Sequence, residues 1–175
     1  MPNATKATDF GRVFLPHLDD AYNLARWIVR DDHDAQDVVQ EAYLRALRFA
    51  GGFRGGSSRA WILAIVRNTA YTWLKRNRPD PPPSEFRESA CEEAAGEAGV
   101  EPEVLRKADA AMLRAALEDL DREFREVIVL RDVQELSYKE IASVAEIPIG
   151  TVMSRLARAR AKLARSLKAR SAKES

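Results

Sequence analysis

Apolar residues recur every three to four positions along most of the chain, the spacing that places them on one face of an α-helix. In the first half the pattern predicts helices at about 19–29, 35–50 and 58–77. Asp34 and Ser58 are the predicted N-caps of the second and third of these helices. The second helix is expected to turn six side chains inward: Val38, Val39, Ala42, Tyr43, Ala46 and Leu47. No stretch alternates apolar and polar residues between turns, so no β-sheet is predicted.

The second half of the chain shows the same periodicity. It predicts four more helices, near residues 103–118, 122–133, 137–145 and 149–169. Asp121 and Ser137 stand where N-caps are needed, and Ser137 forms a capping-box pattern with Glu140 three residues later. The expected fold is therefore all-α.

A composition change separates the two halves. Four of the eight prolines fall in PDPPP at 79–83, and an acidic stretch rich in Ala and Gly follows. Proline blocks helix continuation, and so few apolar residues cannot offset the entropy of ordering the chain. We therefore expect two small helical domains, residues 1–78 and 103–175, joined by a linker at 79–102.

The last two predicted helices are separated by a very short turn that contains Pro148. The second of them has an apolar stripe: Val152, Leu156, Ala159, Leu163 and Leu167. A polar and basic stripe lies well away from it: Thr151, Ser154, Arg155, Arg158, Lys162 and Arg165. This pattern is typical of a helix-turn-helix whose second helix enters the major groove. Thr151, Ser154 and Arg155 are predicted to read bases, whereas Arg158, Lys162 and Arg165 are predicted to hold phosphates.

The net charge of +1 conceals a strong segregation of charge. Residues 1–78 have 12 basic and 8 acidic side chains, 79–120 have 4 and 11, and 121–175 have 12 and 8. The runs 42–79 and 151–173 each contain 8 basic residues and no acid. Helical surfaces usually intersperse acids and bases, so these runs indicate a polyanionic partner such as nucleic acid.

Two long motifs resemble a known family. LDREFREVIVLRDVQELSYKEIASVAEIPIGTVMSRLARARAKL resembles the fourth conserved region of bacterial extracytoplasmic-function sigma factors. DAQDVVQEAYLRAL and FRGGSSRAWILAIVRNTAYTWLKR resemble their second region. The resemblance implies a promoter-specificity subunit of RNA polymerase, whose first domain opens the minus-ten element and whose second domain holds the minus-thirty-five element. It also implies an anti-sigma factor that holds the protein inactive until a signal arrives.

The predicted polymerase and minus-ten residues lie in the first domain. One face of the second helix mixes charged residues with a leucine, which suits a protein partner: Asp37, Gln40, Glu41, Leu44 and Arg48. The resemblance implies that this face contacts the beta-prime clamp helices, and that the beta flap is a further polymerase contact. Capture of unpaired bases needs aromatic and cationic side chains. The predicted minus-ten residues are Phe53, Arg54, Arg67, Asn68, Trp73, Lys75 and Arg76.

Four residues at three sites depart from the family pattern. Glu146 stands in the turn where Gly is common, Met153 replaces a basic residue on the recognition helix, and Gln134-Glu135 replaces a turn that usually contains Gly. The resemblance also implies that the linker threads the RNA exit path of polymerase, where we hypothesise that its acids mimic nucleic acid.

Other functions fit the sequence less well. A sigma mimic would not need basic runs in both domains, and a stand-alone helix-turn-helix repressor leaves the DVVQE face unexplained. His17 and His33 lack metal-ligand spacing, and no Gly-rich phosphate loop is present, so no catalytic residue, metal or cofactor is predicted. No signal peptide or membrane segment is recognised, and the single Cys91 cannot form an internal disulfide. We expect a cytoplasmic protein without membrane insertion.

Overall fold

The computed structural model of the chain describes residues 2–78 and 109–173, and every regular element in these ranges is helical. The N-terminal bundle consists of α1 (Pro2–Phe14), α2 (Leu18–Val29), α3 (Asp32–Arg48) and α4 (Ser58–Asn77). The C-terminal bundle consists of α5 (Ala110–Glu118), α6 (Arg122–Ile128), α7 (Tyr138–Ala145) and α8 (Ile149–Lys173). Short 3₁₀ turns occupy Leu15–His17 and Ala50–Gly52. The predicted all-α fold is confirmed.

Helices α2, α3 and α4 pack against one another and bury the apolar positions that the periodicity selects. Helix α1 was not predicted from the sequence; it packs against α4 and ends on an aromatic cluster. The Phe14 ring lies 4.9 Å from Trp61 and 5.4 Å from Phe53, centre to centre. The Tyr43 hydroxyl donates a hydrogen bond to the Phe14 carbonyl at 2.8 Å, and burial raises the pKa of Tyr43 to about 12. These contacts fix α1 to the bundle.

Two predicted N-caps of the N-terminal bundle are wrong. The cap of α3 is Asp31, whose extended backbone lets its carboxylate accept the Asp34 N–H at 3.0 Å, and the helix starts earlier than predicted. The cap of α4 is Ser57, which accepts the Ala60 N–H at 3.1 Å. In both places neighbouring residues have the same capping chemistry. The backbone conformation selects between them, because only a non-helical residue can cap.

In the C-terminal bundle, α5, α6 and α7 pack against α8. The predicted apolar stripe of α8 is fully buried: Val152, Leu156, Ala159, Leu163 and Leu167. Of the first predicted helix, the described part is α5, which begins at Ala110 and is capped by Asp109, whose carboxylate accepts the Ala111 N–H at 3.2 Å. Residues 103–108 of this prediction lie outside the described part. The predicted helix at 122–133 is α-helical only to Ile128 and continues as a π-helix over Val129–Val133.

Candidate DNA and polymerase interfaces

Helices α7 and α8 form the predicted helix-turn-helix. Ser137 caps α7 by accepting the Glu140 N–H at 3.1 Å. The turn closes at Glu146, which takes a left-handed backbone with φ 56° and donates its N–H to the Ala142 carbonyl. The Pro148 carbonyl then accepts the Val152 N–H at 3.1 Å, which is the first turn of α8. The tight turn therefore forms without glycine, at the energetic cost of a left-handed glutamate.

The surface of α8 opposite the buried stripe contains the predicted DNA residues. Met153, Ser154 and Arg165 are exposed, whereas Thr151, Arg155 and Arg158 are half-buried. Three cations of the basic run 151–173 form ion pairs with acidic residues of the same bundle. Lys162 lies 3.0 Å from Asp121 and Arg160 lies 2.7 Å from Asp132, while Arg170 pairs with Asp119. Among the described residues, the other three cations of the predicted DNA stripe, Arg155, Arg158 and Arg165, form no such ion pair.

The predicted polymerase face of α3 presents a continuous stripe. Asp37, Gln40, Leu44 and Arg48 are exposed, and the Leu44 side chain is 56% accessible. Glu41 is half-buried and lies 2.6 Å from Arg45 and 4.0 Å from Arg76.

The prediction that Leu47 points inward is wrong, because it is 44% exposed. Its position near the end of α3 lies beyond the packed part of the helix, and it adds a second apolar side chain to the exposed surface. An open apolar groove lies beside this face, between the start of α2 and α3. It is lined by Leu15, Leu18, Asp19, Tyr22, Gln36, Val39, Gln40 and Tyr43.

The predicted minus-ten residues do not share one environment. Arg54, Asn68, Lys75 and Arg76 are exposed. Arg54 precedes Gly55 and Gly56, whose φ angles of +92° and +84° strongly favour glycine.

The aromatic residues of the predicted minus-ten set are only partly free. Phe53 packs in the aromatic cluster at the end of α1, together with Trp61, which is not one of the predicted minus-ten residues. Trp73 is half-buried and lies 5.8 Å from the Arg78 guanidinium, which stacks on its ring. The exposed cations are therefore more accessible to a nucleic acid than the rings are.

Arg67 is held between the two bundles. Its guanidinium pairs with the carboxylate of Glu126 from α6, and the Tyr71 hydroxyl donates to the same carboxylate at 3.0 Å. The Arg67 guanidinium also lies 4.7 Å from the centre of the Tyr71 ring. Only 2% of the Glu126 side chain and 18% of the Arg67 side chain are accessible. Burial lowers the pKa of Arg67, but the Glu126 carboxylate outweighs burial and the net pKa is raised.

Further polar contacts join the two bundles. Arg125 is buried and donates to the Leu117 and Leu120 carbonyls of its own bundle and to the Trp27 carbonyl of α2 at 3.1 Å. Burial, followed by the nearby Arg30 and Arg122, lowers the pKa of Arg125 to about 10. The Gln134 side chain donates to the Asp20 carbonyl at 2.7 Å, and Arg59 donates to the Gln134 carbonyl.

Sequence reasoning missed Glu126, Arg125 and Gln134 as members of this contact. Their positions in the sequence are typical of an exposed helix face and a turn. The one available signal was the departure of Gln134-Glu135 from a glycine-containing turn. Glu135 adopts a left-handed backbone with φ 58°, while its neighbour Gln134 is buried.

Residues 2–78 and 109–173 lack two features that would point to other functions. No helix in these ranges is long and apolar enough to cross a membrane. In the same ranges, no group of three or more His, Cys, Asp or Glu side chains is placed to hold a metal ion.

Comparison with known proteins gives a consistent result for both bundles. Residues 13–79 match the family described as Sigma-70 region 2, and residues 110–163 match Sigma-70, region 4. The chain is 36% identical over 146 residues to the RNA polymerase sigma-H factor of Pseudomonas aeruginosa, covering 79% of this chain and 76% of that protein. It is 37% identical over 136 residues to the ECF RNA polymerase sigma-E factor of Escherichia coli K12, covering 73% and 70%.

The fold also resembles solved structures. The sigma factor RpoE of Bartonella quintana, solved in complex with the anti-sigma factor NepR, has a TM-score of 0.69 and 28% identity to this chain. The alignment covers 91% of this chain and 97% of that one. The chain therefore belongs to the extracytoplasmic-function group of the sigma-70 family. As a sigma factor it binds core RNA polymerase and promoter DNA and directs promoter-specific transcription initiation.

Proposed function

We propose that the two bundles divide promoter recognition between them. Residues 1–78 bind core polymerase and the minus-ten element, residues 103–175 bind the minus-thirty-five element, and residues 79–102 link them. The observation that carries this proposal is the geometry of α8. One stripe of this helix is fully buried against its own bundle, and the opposite side presents hydroxyl and guanidinium groups near its N-terminus. A helix placed in this way can enter a major groove.

On α8 the roles divide by position. Thr151, Ser154 and Arg155 read base edges at the start of the helix, and the Arg155 fork suits guanine. Arg158, Lys162 and Arg165 lie further along and hold phosphates. The Ser154 hydroxyl donates to the Thr151 carbonyl at 3.1 Å, so binding a base edge requires this hydroxyl to rotate.

On the N-terminal bundle the exposed stripe of α3 docks on the beta-prime clamp helices through Asp37, Gln40, Glu41, Leu44 and Arg48. The acidic side chains of such a surface attract an oppositely charged partner, and its apolar side chain loses its contact with water when the partner docks.

The minus-ten contact uses Arg54, Asn68, Lys75 and Arg76. Arg67, Phe53 and Trp73 are further members of this contact. The beta flap is a further contact of the chain on core polymerase.

We extend the proposal to regulation and location. The protein acts in the cytoplasm, is not an enzyme, and is held inactive by an anti-sigma factor. Support for the partner is the likeness to a sigma factor solved with its anti-sigma factor. The uncovered apolar groove beside α3 offers a surface on which an apolar segment of such a partner can pack.

Transcription in vitro tests the proposed function. Sheared host genomic DNA is transcribed by core polymerase with and without the protein, and transcript starts are sequenced. New starts that share two upstream elements are expected. If core binding is intact and no new starts appear, the chain is a mimic that occupies polymerase or an anti-sigma factor without directing initiation.

A further inference from the structure

The FRGGSSR segment, residues 53–59, contacts a corner of its own bundle. This corner, residues 14–20, joins α1 to α2 and is called here the α1–α2 corner. It contains none of the predicted DNA or polymerase residues. Three contacts nevertheless join it to the FRGGSSR segment, whose Arg54 belongs to the predicted minus-ten contact.

The first contact is aromatic. Phe14 is buried, and its ring centre lies 5.4 Å from that of Phe53 with an angle of 77° between the planes, an edge-to-face arrangement. Phe10 and Trp61 flank Phe14 at 4.8 and 4.9 Å. The residue immediately before Arg54 is therefore held against a ring that is itself fixed in the bundle.

The other two contacts are polar. The His17 Nε2 lies 2.9 Å from the Ser58 hydroxyl. Burial lowers the pKa of His17, although the nearby Asp20 opposes this change, so the neutral imidazole predominates at neutral pH. Asp20 also pairs with Arg59 at 2.8 Å. Because Arg59 donates in addition to the Gln134 carbonyl of the other bundle, the His17 contact is the more specific of the two.

The glycines between these contacts leave the segment little restraint of its own. Gly55 and Gly56 have φ angles of +92° and +84°. Among residues 2–78 and 109–173, no atom outside the adjacent residues lies within 4 Å of the place that a Cβ would take at either glycine. Glycine also loses more conformational entropy on ordering than other residues. The contacts with the α1–α2 corner, one on each side of the glycines, therefore restrict where Arg54 lies.

We propose that Phe14 and His17 are positioning residues for the minus-ten contact. Phe14 holds the ring beside Arg54, and His17 holds the hydroxyl at the start of α4, so the segment meets an unpaired base in one preferred geometry. A loop that is already held in its bound conformation loses less entropy when it binds. The proposal rests on the proposed role of this segment in minus-ten binding, and it assigns Phe14 and His17 no DNA contact of their own.

The test measures promoter opening by the complete holoenzyme on a promoter located by transcript-start sequencing. Permanganate oxidises unpaired thymines, so the rate at which thymines of the minus-ten element become reactive gives the rate of opening. Co-purification with core polymerase is measured for each variant, and circular dichroism confirms that it is folded. Arg54→Ala is the reference for loss of a direct contact.

Two substitutions remove the contacts one at a time. Phe14→Leu keeps an apolar side chain but loses the ring edge, and it is expected to slow opening by up to about tenfold, the effect of one aromatic pair. His17→Leu is expected to slow opening by up to about tenfold through loss of one hydrogen bond. Core association should be unchanged in both variants.

Further variants separate positioning from packing. His17→Gln is expected to restore the wild-type rate, because a neutral amide can also form a hydrogen bond with Ser58. Ser58→Ala should slow opening as His17→Leu does, and the two together should slow it no further, since they remove the same contact. Ile28→Val is the control; it trims a buried side chain at the other end of α2 and should leave the rate unchanged.

Each outcome decides a separate point. Normal opening by Phe14→Leu and His17→Leu, with Arg54→Ala defective, contradicts the positioning role and leaves the proposed function intact. Normal opening by Arg54→Ala contradicts the minus-ten role of the segment itself. Equal slowing by Ile28→Val, or weakened core association, would assign the effect to lost stability and overturn the proposal. If Phe14→Leu does not fold, additive losses in the His17 and Ser58 variants would overturn it.

Discussion

The Lys162 ammonium lies 3.0 Å from the Asp121 carboxylate and 4.6 Å from the centre of the Phe124 ring. A phosphate that binds Lys162 must therefore compete with an acid of the same bundle. Arg155, nearer the N-terminus of α8, forms no ion pair with any residue in 2–78 or 109–173. Arg155 and Lys162 are therefore expected to make different contributions to DNA binding.

Arg155→Ala is expected to lower discrimination between promoter and random DNA. Loss of a bidentate contact to a base removes about 1 to 3 kcal/mol of specificity while leaving phosphate contacts in place. The measurement is the ratio of holoenzyme affinities for a mapped promoter and for the same DNA with a scrambled upstream element. Lys162→Ala is the comparison, since it should weaken both affinities alike and reduce the salt slope by about 1. Equal losses of specificity in the two variants would contradict the assignment.

Asp121→Asn is expected to strengthen DNA binding regardless of sequence, because it frees Lys162 for phosphate. Asp121 makes no side-chain cap hydrogen bond to α6, so the substitution should cost little helix stability. Affinity for random duplex DNA, measured over a range of salt concentrations, should rise and show a steeper salt dependence. In a Lys162→Ala background the same substitution should have no such effect. A gain that persists there would refute the explanation.

Charge reversal of the α3 stripe, Asp37→Lys with Glu41→Lys, is expected to abolish association with core polymerase while the bundle stays folded. Asp37 is exposed, and the contacts of Glu41 are partly exposed ion pairs, which contribute about 0–1 kcal/mol to stability. Native gel shift or co-purification with core polymerase measures the loss. Asp9→Lys on α1, whose carboxylate pairs with Arg12 at an exposed site, is the control. Association retained by the double variant would show that the clamp contact lies elsewhere.

Glu146→Gly is expected to raise the free energy of unfolding by about 0.5 to 1 kcal/mol, because a side chain is strained at φ 56° and glycine is not. Ser143→Gly, at an exposed helical position of α7, is expected to lower it by about 0.5 kcal/mol. Urea denaturation of the two variants and the wild type measures both effects. A loss of stability in Glu146→Gly would mean that the glutamate side chain stabilises the turn in some other way.

The periodicity of apolar residues was enough to predict most of the fold. The helices around Leu24, Val38 and Leu156 formed where predicted, because each has a continuous apolar stripe that must be buried. Helix α1 was missed because it is polar along most of its length and is attached mainly at its end, through Phe14. The caps at Asp31 and Ser57 were missed because adjacent residues have identical side-chain chemistry, and only the backbone distinguishes them.

The contact between the bundles could not be predicted from the sequence. Glu126 and Arg67 are 59 residues apart, and each lies in a segment whose other neighbours suggest a different role. A buried ion pair leaves no periodic signal, because its members look like surface residues until a partner covers them. The burial of Arg125 against backbone carbonyls cannot be recognised in the sequence for the same reason.

Site-directed cleavage of promoter DNA by the holoenzyme most directly tests whether the two bundles bind different promoter elements. In a Cys91→Ser background, a chelated iron reagent is attached at Met153→Cys on α8 or at Asn68→Cys on α4, both exposed positions. We expect cuts at the upstream element from position 153 and at the melted downstream element from position 68. Cuts at the opposite elements, or none from position 153 in an active holoenzyme, would contradict this expectation.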